Sequence, residues 1–252
     1  MSGHSKWSTI KRKKGVADAR RGQLFTKLGR EIAVAAREGG GEDPSSNFQL
    51  RLAIDRAKRE NMPKDNIERA ILRGVGKLKG AAIEELNYEG YGPHGTAVIV
   101  KVLTDNRNRS VAEVRSLFTR YGGNLGETGS VGWLFERRGY ISIVPEDGEP
   151  EDLALVAIDA GAEDVNIDEE LVEVYTMVKD LKKVEEALKE NGISFETAQL
   201  SWVPKSTMQL DAKATTQNMR LIEALENLDD VQQVYSNLEI ADEIMATYEA
   251  ER

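Results

Sequence analysis

Between Gln23 and Arg37, Leu24, Phe25, Leu28, Ile32, Ala35 and Ala36 recur at the three-and-four spacing that places side chains on one face of an α-helix. Arg20, Lys27, Arg30 and Arg37 fall in a stripe on a different side, so one face can pack while another stays charged and wet. Gly39-Gly40-Gly41 closes that helix. A second run, Phe48 to Arg59, turns Leu50, Ala53, Ile54 and Ala57 inward. Pro63 suits the first turn of a third helix, Asp65 favours its positive end, and Ile67, Ala70 and Ile71 face inward before Gly74-Val75-Gly76 stops it. Residues 1–80 therefore read as helices only.

Beyond Gly80 the period changes. Thr96–Thr104 is β-branched and apolar, as a buried strand requires. Ser110-Val111-Ala112-Glu113 has the form of a capping box opening a helix that ends at Gly122-Gly123-Asn124. An apolar segment around Val131–Phe135 follows. From Gly139 the order is strand Tyr140–Val144, helix Asp152–Ala160, strand Asp164–Ile167, strand Leu171–Val178, helix Leu181–Glu190 and strand Ser194–Trp202. That is β-α-β-β-α-β, the ferredoxin-like order. Strand Val203–Leu210, helix Thr216–Leu228 and strand Val231–Tyr235 come after it. The expected class is α+β in three domains: a basic helical domain over 1–80, an interrupted domain of two βαβ halves over 81–137 and 203–252, and a ferredoxin-like domain inserted at 138–202.

Charge changes this picture more than composition does. The chain's net charge is −9, yet residues 1–80 hold 19 Lys/Arg against 9 Asp/Glu, while the remaining 172 hold 15 against 34. Such asymmetry points to nucleic-acid or membrane-surface binding by the basic part, with an internal complement, basic domain against acidic, as the rival. The absence of cysteine excludes disulfides and thiolate chemistry. The polar, basic start is unlike a signal peptide, and the longest apolar run, Leu153–Ile158, is far short of the roughly 20 residues that span a bilayer. A cytoplasmic protein without membrane partners is expected.

Little else carries chemistry. His4 and His94, the two histidines, have no local cluster of ligands, which gives no metal site. Gly90-Tyr91-Gly92-Pro93-His94-Gly95 satisfies the letters of a dinucleotide fingerprint, but a strand follows where a helix is needed, and Pro93 removes an amide donor. It reads as a glycine-rich loop feeding a strand, whose tip could touch a backbone or a ribosomal partner. No catalytic constellation appears, so no enzyme, cofactor or small-molecule substrate is expected. The basic run is different. Lys6, Lys11, Arg12, Lys13, Lys14 and Arg20 can neutralise phosphates, and Trp7 among them can stack on a base. Lys27 and Arg30 extend that surface, and Arg107 and Arg109, just before a helix start, suit a phosphate as well as they suit plain turn chemistry.

Several motifs resemble the YebC/PmpR family, which includes mitochondrial translational activators of cytochrome oxidase subunit one. They are Ser2-Gly3-His4-Ser5-Lys6-Trp7, Ile10-Lys11-Arg12-Lys13-Lys14, Phe25-Thr26-Lys27-Leu28 and Asn61-Met62-Pro63-Lys64-Asp65-Asn66-Ile67. Tyr88-Glu89-Gly90-Tyr91-Gly92-Pro93 with Gly95, Thr104–Ser110, Gly129-Ser130-Val131 and Phe135-Glu136 complete the set. Arg12 stands where the family often has histidine and keeps the positive charge. The resemblance implies a three-domain, non-catalytic protein that binds DNA as a transcriptional regulator. Its alternative is a translation factor on ribosomal RNA that relieves difficult peptide sequences.

Overall fold

The computed structural model describes residues 18–145, 149–168 and 171–250, in two compact units: 135–205, and the chain before it together with 206 onward.

In the larger unit, α1 (Asp18–Glu38), α2 (Phe48–Arg59) and α3 (Lys64–Gly74) enclose a core of Leu28, Ile32, Ala36, Leu50, Ala53, Ala57, Ile67 and Ala70. These are the positions that helical spacing turns inward. Asn47 fixes the corner between α1 and α2. Its side chain accepts from Leu50 N at 3.0 Å as the α2 N-cap and donates to Ala35 O at 2.8 Å and Gly41 O at 2.9 Å. One buried amide thus satisfies a helix end, a helix start and the turn between them. Gly74 lets α3 reach α1, since a Cβ there would lie 2.2 Å from Ala33 O.

A four-stranded sheet, order β3-β1-β2-β9, forms the rest of this unit, with β1 Glu84–Tyr91, β2 Ala97–Thr104, β3 Asn124–Leu125 and β9 Val231–Ser236. All three pairings are antiparallel. One face carries Val98, Val100, Val102 and Val234 against Val114 and Phe118 of α4 (Arg107–Arg120) and Met219, Ile222 and Leu225 of α7 (Ala212–Glu226). On the opposite face Leu103 meets Ala33 and Val34 of α1, with Ile83. Fully burying a side chain of this size contributes about 1.5–3 kcal/mol. β8 (Met208–Gln209) pairs in parallel with β10 (Leu238–Glu239), and α8 (Asp242–Ala250) adds Met245 and Tyr248 to the core.

The smaller unit runs β4 (Phe135–Ile143), α5 (Pro150–Ala160), β5 (Asp164–Asp168), β6 (Leu171–Thr176), α6 (Leu181–Glu190) and β7 (Thr197–Pro204). Its sheet order is β5-β6-β4-β7, antiparallel throughout, with β4 and β6 central, which is the arrangement of a split βαβ unit. Ile141, Ile143, Val172 and Val174 line one face under Ala157, Val184 and Leu188 of the helices.

The structure differs from the sequence expectation at several points. β1 precedes the glycine-rich loop, so that loop joins two strands of a hairpin rather than only feeding one. α4 starts at Arg107, capped by the Asn106 side chain accepting from Arg109 N at 3.1 Å, so Ser110 is not the cap. Asn106 lies extended, whereas Ser110 is already inside the helix, after Arg107, Asn108 and Arg109, and is buried. Instead of one long strand from Val203 to Leu210 there are two pieces, β7 ending at Pro204 and β8 starting at Met208.

Candidate nucleic-acid interface

Lys6, Trp7, Lys11, Arg12, Lys13 and Lys14 lie outside the described residues. Arg20 is in the first turn of α1. The stripe it begins does not run free along the helix. Lys27 Nζ donates to Glu226 O at 2.6 Å, and Arg30 lies 2.8 Å from the Asp230 carboxylate and also donates to Asp229 O. Gln23, one turn before Lys27, donates to Asn227 O and to Asp229 Oδ1. The turn between α7 and β9 thus occupies the part of α1 whose charge the sequence assigns to phosphates.

Asp230 organises that junction. A register shift against Lys101 and Val102, with Gln233 and Val231 as their partners, leaves Gln232 as the extra residue of a bulge beside it. The Asp230 backbone carbonyl accepts from Leu103 N at 2.8 Å. The carboxylate, 3% exposed, accepts from Ser110 Oγ at 2.6 Å, Thr104 Oγ1 at 2.8 Å and Arg109 at 2.7 Å, besides Arg30. Burial raises its pKa, but bonds from Ser110, Arg109 and Thr104 and the Arg30 charge outweigh that and hold it below the ordinary carboxylate value. Asp105 extends the cluster, accepting from Arg109 at 3.1 Å and Arg73 at 3.3 Å. Arg109 is accordingly committed to two carboxylates. Arg107 stays open, 68% exposed in its side chain, with Glu84 at 3.8 Å.

Other cations of the helical region face solvent. Arg21, Arg51, Lys58, Arg59, Lys64, Arg69 and Lys79 are exposed, and Arg51 lies 5.6 Å from the Phe48 ring. They extend the charge asymmetry seen in the sequence into a described surface.

A second constellation, absent from the sequence reading as a site, sits at the glycine-rich end of the sheet. Glu89 of β1 is 9% exposed and accepts from Gly129 N at 2.9 Å, Val131 N at 2.9 Å and Gly132 N at 2.6 Å. Burial raises its pKa, yet the three amides outweigh this and lower it. Gly90 and Gly123 let backbones touch here: a Cβ would lie 2.7 Å from Asn124 O at Gly90 and 2.6 Å from Tyr91 O at Gly123. The Tyr91 hydroxyl and the Trp133 indole both donate to Ser130 O, at 2.9 and 3.1 Å. The motif Tyr88–Pro93 and Gly129-Ser130-Val131 contained the signal, but nothing local shows that the two segments meet. His94 adopts φ 62°, an uncommon left-handed position for a side-chain-bearing residue, with Nε2 3.4 Å from Gln217 Oε1.

Among the described residues there is no group of three or more His, Asp or Glu placed to hold a metal, and no helix long and apolar enough to cross a membrane.

These features define a class: an α+β protein with a cationic helical region, whose sheet is completed by strands from both sides of an intervening unit. Residues 5–77 match the TACO1/YebC N-terminal domain, and 83–238 match the TACO1/YebC second and third domain. The chain belongs to the TACO1/YebC family. It is 54% identical over 249 residues to a probable transcriptional regulatory protein of Herpetosiphon aurantiacus, covering 98% of each chain. With one of the same description from Chlorobaculum tepidum it shares 52% over 252 residues, the whole of both. The crystal structure of a conserved hypothetical protein from Aquifex aeolicus is similar with a TM-score of 0.86 at 51% identity, over 90% of this chain and 94% of that one.

Proposed function

We propose that this protein is a non-catalytic, cytoplasmic nucleic-acid-binding regulator of gene expression, a DNA-binding transcriptional regulator of the YebC type. The observation that carries this is the partition of charge, 19 Lys/Arg against 9 Asp/Glu in residues 1–80 of a chain whose net charge is −9. The names of the relatives, probable transcriptional regulatory proteins, support it. Lys6, Lys11, Arg12, Lys13 and Lys14 are the phosphate contacts, with Arg20, Arg107 and the exposed cations of α2 beside them and Trp7 as a stacking ring. Lys27, Arg30 and Arg109 act mainly by seating α1 and α4 on the α7–β9 turn, because their donors already have carbonyl and carboxylate partners there. The three-domain division, 1–80, 81–137 with 203–252, and 138–202, belongs to this proposal.

A second reading, a ribosome-associated factor that binds RNA, uses the same cationic region, because neutralising phosphates does not by itself distinguish RNA from DNA. Sedimentation of the tagged protein from gently lysed cells separates the two. Ribonuclease-sensitive migration with ribosomal particles selects the RNA reading. Recovery at the top of the gradient, with promoter fragments bound more tightly than scrambled duplex at physiological salt, selects the DNA reading.

A further inference from the structure

We infer that the outer face of α4 is a duplex-DNA contact that lies in the major groove, with Arg115 and Arg120 on the phosphates at its two sides. The inference rests on the nucleic-acid reading above and deepens it by adding a second contact and the side chains that meet the bases.

Residues 81–134 hold five Lys/Arg, and α4 carries four of them, Arg107, Arg109, Arg115 and Arg120, against one carboxylate, Glu113. Arg109 is engaged by Asp105 and Asp230. Arg115 and Arg120 are exposed, and neither has an ion-pair partner among the described residues. Arg120, in the last turn, also suits the negative end of the helix. Arg115 stands before that turn and has no such role.

Position around the helix decides what these cations reach. Ser110, Val114 and Phe118 form the buried side. At about 3.6 residues per turn, Arg115 and Arg120 project about 140° apart, on opposite flanks of the exposed side. Between them runs a row of short exposed residues, Asn108, Ala112, Ser116 and Thr119. Glu113, on the Arg120 flank, lowers the positive balance of this face without reversing it.

A single strand offers one line of phosphates, whereas a groove offers two, with base edges between them. The major groove of B-DNA, about 12 Å wide, admits one α-helix. Short side chains along the middle let the helix sit close. Their types also suit base edges: an asparagine amide for adenine, hydroxyls for any base, and the alanine methyl for thymine. The major groove of A-form RNA is too deep and narrow for side chains to read, so the ligand is DNA.

This face continues the cationic helical region. Asp105 accepts from Arg73 of α3 and from Arg109 of α4, so the start of α4 adjoins the end of α3, with Arg107 open beside them. From Arg107 to Arg120 the helix runs about 20 Å.

The test uses the full chain with a fluorescein-labelled DNA duplex of about 20 base pairs, two helical turns, and an RNA duplex of the same sequence. Replacing Arg115→Gln and Arg120→Gln together weakens DNA binding about tenfold or more and flattens the salt slope by about 1.8. Binding to the RNA duplex is unchanged. The paired variant Arg115→Lys and Arg120→Lys keeps the charges and therefore the wild-type slope. In selection from DNA duplexes with randomised centres, Ser116→Ala with Thr119→Ala changes the motif that the wild type enriches. Wild-type affinity and slope in the glutamine variant overturn the inference while leaving the nucleic-acid reading intact. Equal losses on RNA and DNA overturn it too, as does a motif that is the same in both proteins or absent from both. A wild-type protein that binds neither duplex refutes the nucleic-acid reading, and the inference falls with it.

Discussion

The Arg30 guanidinium lies 2.8 Å from the Asp230 carboxylate, joining the first described helix to the last turn before β9. Around this pair Ser110, Thr104 and Arg109 close on the same carboxylate, so a single buried acid ties α1, β2, α4 and β9 together. A buried carboxylate is costly unless every lone pair is engaged, and here it is engaged by two cations and two hydroxyls.

Removing that acid should therefore hurt more than removing any one partner. Asp230→Ala leaves two arginines and two buried hydroxyls without their acceptor, and is expected to lower stability by about 3 kcal/mol. Urea denaturation followed by circular dichroism measures it. A change within about 0.5 kcal/mol, the size typical of an uninvolved surface site, would mean that the cluster is not a structural centre.

Acid should act on the same cluster and, separately, on Glu89. Asp230, Asp105 and Glu89 all have pKa values lowered from their ordinary 3.8, 3.8 and 4.5. The sign is that of depressed carboxylates: their stabilisation is complete above those ordinary values and is lost as the pH falls from there through the lowered folded-state values. The denaturation midpoint is expected to hold steady from neutrality down to about pH 5 and to drop steeply below about pH 4. In Asp230→Ala that acid-side drop should be shallower, and an identical profile would locate the acid sensitivity elsewhere.

Glu89 gives a local rather than a global prediction. Glu89→Gln keeps the size but offers a single acceptor oxygen and a misplaced amide where three backbone amides converge. Hydrogen exchange at Gly129, Val131 and Gly132 should quicken about tenfold or more, while amides of β2 keep their protection. Unchanged exchange at the three amides would show that the loop holds its shape without the carboxylate.

Much of the fold was legible because periodicity and burial coincide. α1, α2 and α3 follow from apolar spacing, β2 from a largely β-branched, apolar run, and the order of elements in 135–204 from alternating runs broken at turns. β1 was not: EELNYEGY has mixed polarity, with only two buried residues, and takes its place by pairing with β2 over its whole length. α8 escaped for a similar reason, its apolar residues being few and packed on a core formed by distant segments. The capping-box pattern at Ser110 was misleading because Ser110 is claimed by Asp230, a partner no local pattern can reveal. The same limit applies to the site. A cationic stripe along α1 is visible in sequence, but that Lys27 and Arg30 face Glu226 and Asp230 depends on a turn about 200 residues later in the chain.

The most direct test of nucleic-acid binding by the basic region is a salt titration of affinity for the full chain and for one variant carrying Lys11→Gln, Arg12→Gln, Lys13→Gln and Lys14→Gln together. Each phosphate left without its cation flattens the dependence of log affinity on log salt by about 0.9 for duplex DNA and about 0.7 for a single strand. The account predicts weaker binding to every sequence, with a slope shallower by roughly three. Wild-type affinity and wild-type slope in that variant would contradict it, and would place the grip on some other surface of the protein.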